Sequence, residues 1–147
     1  MKKLVFGLIA IVLLSINAHS QKVGIINKDG KPEITEDLSF LKEKWAAILK
    51  ENKLEGEVER FEITKEQYVD DEKEATDGYY QITGYSKDSK LKVASTLTLE
   101  ENSLSADFSS TATCSGCVYG CHPKNWRNGT WYCDVPCNEC SKSETAN

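Results

Sequence analysis

Histidine, methionine and proline are scarce in this chain of 147 residues, which has two histidines, one methionine and three prolines. His122 is the last histidine once the N-terminal segment discussed below is removed. A Ser-His-Asp or Cys-His site would depend on that one imidazole, whose neighbours are Cys121 and Pro123. Glycine-rich phosphate loops and His-x-Glu metal motifs are also absent from the sequence. We therefore expect no catalytic residue, no cofactor and no metal site, and a protein that is not an enzyme.

Long hydrophobic runs are absent except for Leu4–Leu14 near the N-terminus. This run is too short to span a bilayer as a helix, which takes roughly 20 apolar residues, but it suits a signal peptide. Lys2 and Lys3 precede it, and residues 18–20 (Ala-His-Ser) place small side chains at a cleavage site before Gln21. The sequence predicts a signal peptide over residues 1–20 and a secreted or periplasmic protein of bacterial type. No later run predicts contact with a membrane.

Positive charge is also in short supply. Without residues 1–20 the chain keeps 16 basic and 23 acidic side chains, a net charge of −7. An acidic exported protein is poorly suited to bind nucleic acid or an anionic membrane. We expect no nucleic-acid partner, and we interpret the charge as a source of solubility.

One amphipathic helix is predicted after residue 35. Thr35 can cap it, and Glu36 and Asp37 place negative charge in its first turn. Its apolar residues fall within an arc of about 100° at helical spacing, and they are Leu38, Leu41, Trp45, Ile48 and Leu49. The pattern ends near Asn52.

The remaining apolar residues of the body, residues 21–109, follow the alternation of strands. Strands are predicted over residues 23–26, 57–64, 79–85, 91–99 and 104–108. One face of each alternating strand is polar, as in an antiparallel sheet with one solvated side. The predicted fold is α+β, with one helix packed on an antiparallel sheet of about four to five strands.

This order of a strand, a helix and an antiparallel meander resembles the cystatin fold over residues 22–108. Cystatins carry a Gln-x-Val-x-Gly motif between the two strands after the helix. Gln67-Tyr68-Val69-Asp70-Asp71 lies at the matching place, with Asp71 where the motif has glycine. The resemblance implies a cystatin-like outline for the body and offers protease inhibition as one alternative function.

The C-terminal tail, residues 110–147, contains all six cysteines: Cys114, Cys117, Cys121, Cys133, Cys137 and Cys140. The small polar residues 109–113 before them indicate a linker. An even cysteine count in an exported protein favours structural disulfides. Metal binding with His122, or redox chemistry by a Cys-x2-Cys motif, are the alternatives.

Six cysteines allow fifteen pairings, and sequence alone does not choose among them. Their spacing is mirrored about Arg127, which favours a nested ladder that joins Cys114 to Cys140, Cys117 to Cys137 and Cys121 to Cys133. Asn128-Gly129 at the centre predicts a type I′ hairpin turn. That turn would place Trp126 opposite Trp131 and Cys133 opposite Lys124.

Four aromatic side chains of the tail form a candidate contact surface: Tyr119, Trp126, Trp131 and Tyr132. Tryptophan and tyrosine favour interfaces because they combine apolar area with a polar group. Alternatively, they form the tail's own small core. The sequence thus predicts an exported, non-enzymatic binding or structural protein with a protein or glycan partner. A cysteine-based metal or redox module and a cystatin-like inhibitor are the alternatives.

Overall fold

The computed structural model of the chain describes residues 20–68, 78–118, 120–134 and 139–145. Strands make up 54% of these residues, and the described part contains one helix. The elements in chain order are β1 (Gln21–Ile26), β2 (Pro32–Ile34), α1 (Leu38–Glu51), β3 (Arg60–Gln67), β4 (Gly78–Tyr85), β5 (Lys92–Glu100), β6 (Ser103–Ser115), β7 (His122–Asn125), β8 (Trp131–Asp134) and β9 (Ser141–Thr145).

Seven of the strands form one antiparallel sheet in the order β2-β1-β6-β5-β4-β3, with β9 also paired to β6. β1 pairs with the first part of β6, and β9 pairs with its second part. Between these parts the β5–β6 register shifts, so that residues 107–110 lie opposite Thr96 alone. Such a bulge bends a strand and increases its twist. The sheet curls into a nearly closed, barrel-like form.

Helix α1 begins after Asp37, whose carboxylate accepts a hydrogen bond of 2.7 Å from the backbone N–H of Ser39. The helix was predicted correctly, but the predicted cap at Thr35 is wrong, and Glu36 and Asp37 precede the first turn instead of lying in it. Four of the five predicted stripe residues are buried, and Leu38 is 50% exposed.

The helix covers one face of the sheet, called here the helix face. Trp45 is fully buried there, stacked on Phe61 at 5.1 Å and edge-on to Phe108 at 6.1 Å. Gly84 lies directly beneath the indole, and a Cβ added to it would come within 2.8 Å of the Trp45 ring. The same core contains apolar residues from five strands: Val23, Ile63, Ile82, Val93, Leu97 and Leu104.

The opposite face of the sheet, called here the hairpin face, is covered by the two-stranded sheet of β7 and β8. Its buried residues are largely polar: Gln81 and Thr83 are fully buried, and Tyr79 is nearly so. Both faces of the central strands are therefore covered, one by apolar packing and the other by a polar contact.

The predicted fold class is wrong, because the chain is mostly sheet and curls into a nearly closed form instead of lying as a four- to five-stranded sheet under a helix. The cystatin-like outline falls with it. In the segment that was compared with the cystatin motif, Gln67 is the last residue of β3 and residues 69–71 lie outside the described residues.

Residues 109–113, predicted as a linker, belong to β6, which continues to Ser115. Small and polar side chains here are buried, among them Thr111, Ala112 and Thr113. The division of the chain into a body and a tail stays a prediction, as does the signal peptide, since residues 1–19 lie outside the described residues.

Candidate functional site

The hairpin of β7 and β8 turns through a three-residue loop. The backbone N–H of Gly129 donates to the carbonyl oxygen of Trp126, and that of Trp126 donates to the carbonyl oxygen of Thr130, both at 2.8 Å. Of Asn128 and Gly129 only the glycine has a positive φ, 86°. This pattern fits a type I turn followed by a left-handed residue, whereas a type I′ turn needs positive φ at both central residues. The predicted type I′ turn is wrong.

The longer loop shifts the strand register by one residue. Trp131 lies opposite Asn125 instead of Trp126, and Cys133 lies opposite Pro123 instead of Lys124. Because side chains alternate along a strand, a register shift of one residue moves the side chains of one strand to the other face relative to their expected partners. Trp126 and Trp131, predicted to face each other, lie on opposite sides.

Trp131 points toward the sheet and is 3% exposed. It packs against Ala94 and Ala112, whose small side chains leave room for the indole. Its Nε1–H donates a 3.4 Å hydrogen bond to Ser110 Oγ. Trp131 is therefore a packing residue, as the alternative interpretation of the aromatic cluster held.

Trp126 lies on the outer side of the hairpin with Tyr132. Their ring centroids are 5.5 Å apart at an interplanar angle of 46°, and both residues are half-buried. The structure thus brings together two of the four predicted contact residues and separates Trp131 from them. Tyr119, the fourth, lies outside the described residues.

Hydrogen bonds seat the hairpin on the sheet. The backbone N–H of Asn125 donates to the hydroxyl oxygen of Tyr79 at 2.8 Å. The side-chain amide of Gln81 donates to the carbonyl oxygen of Pro123 at 3.1 Å and to Thr83 Oγ1 at 2.9 Å. The sequence analysis did not identify these polar groups, because the pattern of β4 does not indicate that its polar side is buried.

Disulfides fix the hairpin at both of its strands. Cys133 of β8 is bonded to Cys114 of β6, and Cys121, just before β7, is bonded to Cys140, just before β9. Cys117 is also disulfide-bonded. The prediction of structural disulfides is confirmed.

The predicted nested pairing is wrong, because Cys114 does not pair with Cys140, nor Cys121 with Cys133. In both observed bridges the second cysteine follows the first by 19 positions. The earlier cysteine, Cys114, therefore pairs with the earlier partner, Cys133, and the pairs overlap instead of nesting. Sulfur atoms held in disulfides cannot serve as thiolate ligands. In the described ranges no group of three or more histidine, cysteine, aspartate or glutamate side chains is arranged to hold a metal ion.

One ion pair and one contact between a histidine and a carboxylate border the outer surface. Lys124 Nζ lies 3.0 Å from Asp134 Oδ2 across the hairpin. Burial alone would lower the pKa of Lys124, but the hydrogen bond and the charge of Asp134 outweigh it and the pKa is raised. His122 Nε2 lies 3.6 Å from Glu66 Oε1 of β3. The contact with His122 is the main cause of a lowered pKa at Glu66, and it outweighs burial, which would raise that pKa.

A further aromatic contact continues the surface toward β3. The guanidinium carbon of Arg127 lies 5.2 Å from the ring centroid of Tyr68, and that ring lies 4.7 Å from the ring of Tyr79. Burial raises the pKa of the Tyr132 phenol. The outer surface of the hairpin therefore offers aromatic rings between paired charges, which can stack on a flat apolar group and hydrogen-bond around it.

Disulfides are typical of compartments outside the cytoplasm, so the bridges fit the predicted export. Within the part of the chain that the structure describes, no helix is long and apolar enough to span a membrane. No protein-family model, curated protein or solved structure matches the chain.

Proposed function

We propose that this chain is an exported, non-enzymatic binding protein whose hairpin binds a glycan through the outer surface of Trp126 and Tyr132. The observation that carries the proposal is the separation of the two indoles: Trp131 is 3% exposed, whereas Trp126 is only partly buried and lies on the outer side of the hairpin beside Tyr132. An aromatic ring that packing within the chain covers only in part, on a rigid support, can offer its remaining surface to a ligand.

The outer surface of the hairpin also has a rigid support. Cys114–Cys133 and Cys121–Cys140 fix the hairpin to β6 and to the start of β9. A surface held before binding loses less conformational entropy when the ligand arrives. The disulfides therefore support binding as well as stability.

The size of the surface favours a glycan over a protein partner. Each hairpin strand has four residues, and at about 3.3 Å per residue the surface is only about 13 Å long. A stable protein interface covers about 800 Å² on each partner, far more than this surface offers. A few sugar rings fit its length, with their apolar faces on the indole and their hydroxyls near Lys124 and Asp134.

Titration of the mature protein with neutral oligosaccharides, for example cellohexaose, xylohexaose and chitohexaose, tests the proposal. Trp45 and Trp131 are buried, so a ligand on the hairpin should change the fluorescence of Trp126. We expect saturable binding of at least one sugar. Calorimetric titration, which does not need the Trp126 fluorophore, should show that Trp126→Phe retains this binding and that Trp126→Ala loses it.

Phe40→Ala is the matched control, since Phe40 is a half-buried aromatic residue of α1 on the other side of the sheet. It should bind as the unchanged chain does. Absence of binding to every sugar, or full binding by Trp126→Ala, would contradict the proposal.

A further inference from the structure

A second feature of the hairpin face lies at the other end of β4, away from the aromatic pair. Arg60, Tyr85 and Lys92 occupy directly opposed positions on β3, β4 and β5 and form one row across the sheet. The guanidinium carbon of Arg60 lies 3.9 Å from the centroid of the Tyr85 ring, and Lys92 Nζ lies 5.8 Å from it. Two cations thus share one aromatic ring in a chain whose net charge is −5.

The two cations are not equally neutralised. Glu62 lies 3.4 Å from Arg60 and accepts a 3.3 Å hydrogen bond from the Tyr85 hydroxyl. Lys92 forms no ion pair with a carboxylate of the described residues. Burial lowers the pKa of Lys92, and the nearby charge of Arg60 lowers it further. The ammonium group is thus partly desolvated, beside a like charge and without a counter-ion among the described residues.

Gly120, next to the disulfide-bonded Cys121, lies at one side of this site. Gly120 has φ 74°, and its backbone N–H donates to the carbonyl oxygen of Cys117 at 2.8 Å. A Cβ on Gly120 would lie 3.3 Å from Lys92 Nζ and would collide with the carbonyl oxygen of Ser89. The glycine therefore lets the loop backbone lie against the ammonium group.

We propose that Lys92 and Arg60 form a binding site for an anionic group, a carboxylate or a sulfate ester, beside the Tyr85 ring. An anion there would supply the counter-ion that Lys92 lacks and would be attracted by both cations. Charge-assisted hydrogen bonds in a partly desolvated place are stronger than those between neutral groups. The exposed side chain of Arg60, 58% accessible, leaves an approach from solvent. The group is either a free anion or part of an acidic sugar.

Titration of the isotope-labelled mature protein with sodium sulfate and, separately, with sodium glucuronate tests the site. Sodium chloride at equal ionic strength corrects for screening. We expect a saturable shift of the amide resonances of Lys92 and Gly120, and a rise of the Lys92 pKa in the saturated state. Saturation by sulfate alone would identify a tetrahedral ligand, and saturation by glucuronate alone a carboxylate. A linear response to both salts would overturn the proposal.

Lys92→Met should weaken binding of the effective anion at least about tenfold, the loss expected for one charge-assisted hydrogen bond. Arg60→Met should weaken it as well and, at a more exposed position, keeps the test valid if Lys92→Met does not fold. Lys31→Met removes one exposed positive charge from the turn before β2 and is the matched control. Equal losses in the control and in Lys92→Met would contradict a specific site.

The site is independent of the proposed glycan surface. Trp126→Ala should leave anion binding unchanged, even if it abolishes binding of neutral sugars. Loss of anion binding in Trp126→Ala would show that the two regions are not separate and would contradict the proposal.

Discussion

The two faces of the central sheet are buried by different means. The helix face packs Trp45, Ile82 and Val93 into one apolar core under α1. The hairpin face buries Gln81 and Thr83 and joins its cover through hydrogen bonds and disulfides. Burial of apolar area supplies free energy by itself, whereas hydrogen bonds exchanged with water supply little net stability.

The difference indicates why the disulfides lie between the hairpin and the sheet. The apolar contact between the hairpin and the sheet is small, with Trp131 on Ala94 and Ala112 at its centre. Such a contact would hold a short hairpin only weakly, since an isolated two-stranded hairpin is marginal in water. The disulfides supply the constraint that the apolar area lacks, so that a polar interface can be maintained.

The largest effect should come from the helix face. Trp45→Ala removes the indole that contacts Phe61 and Phe108 and leaves a cavity over Gly84. Replacement of a buried tryptophan by alanine costs about 3–5 kcal/mol. Urea unfolding should show a loss of this size. Phe40→Ala, at the half-buried margin of the same core, should cost clearly less, and equal losses would argue against Trp45 as the centre of the core.

Reduction of the disulfides should affect the two faces of the sheet differently. Each of the two described bridges joins cysteines with a sequence separation of 19, and for a loop of about this length chain entropy predicts a contribution of about 3 kcal/mol. We expect β7 and β8 to lose hydrogen-exchange protection while β4 and β5 keep it. Loss of protection in all four strands together would show that the faces do not differ in this way.

Gln81→Leu tests the polar contact itself. It removes the donor to the carbonyl oxygen of Pro123 and leaves that buried oxygen without this hydrogen bond. A buried unsatisfied group costs about 1–3 kcal/mol. Thr98→Val, at an exposed position of β5, is the control and should change the unfolding free energy by about 0.5 kcal/mol or less. A stabilised Gln81→Leu variant would mean that apolar contact could replace the hydrogen bonds.

The sequence predicted well those elements whose pattern is local. Alternation located β3 and β5, and helical spacing located α1, because one side of each is apolar and the other largely polar. β1 was located by apolar residues before a turn, and β4 by its aromatic, β-prone composition. Residues 109–115 of β6 carry no such alternation, since small and polar side chains such as Thr111 and Thr113 are buried there too. Because the side chains of residues 109–113 are small or polar on both faces, they give no period of two, and this segment resembled a linker.

The candidate site was predicted only in part for related reasons. Composition identified the aromatic cluster. Which of its residues face the sheet and which face outward depends on whether the loop between Trp126 and Thr130 has two residues or three. The disulfide pairing depends on where β9 returns to β6, a long-range contact that the cysteine spacing does not encode. Lys92 gave no signal, because its position beside Tyr85 and Arg60 arises from pairing across three strands.

The smallest effect should be a pH dependence of the hairpin contact at Glu66. His122 lies 3.6 Å from its carboxylate and lowers its pKa in the folded chain from the ordinary value of 4.5. A group with a lowered folded pKa contributes stability that is fully present above its unfolded pKa and is lost as pH falls through the folded pKa.

Acid below pH 4.5 should therefore loosen β7 from β3. Comparison of urea midpoints at neutral pH and in that acid range should show a smaller acid loss for Glu66→Gln than for the unchanged chain, because the amide does not titrate. Glu55→Gln, at an exposed position after α1, is the control and should keep the full acid loss. If Glu66→Gln and Glu55→Gln lose the same stability in acid, the contact between Glu66 and His122 does not help to hold the hairpin. The hydrogen bonds of Gln81 and Tyr79 and the disulfides would then account for its position.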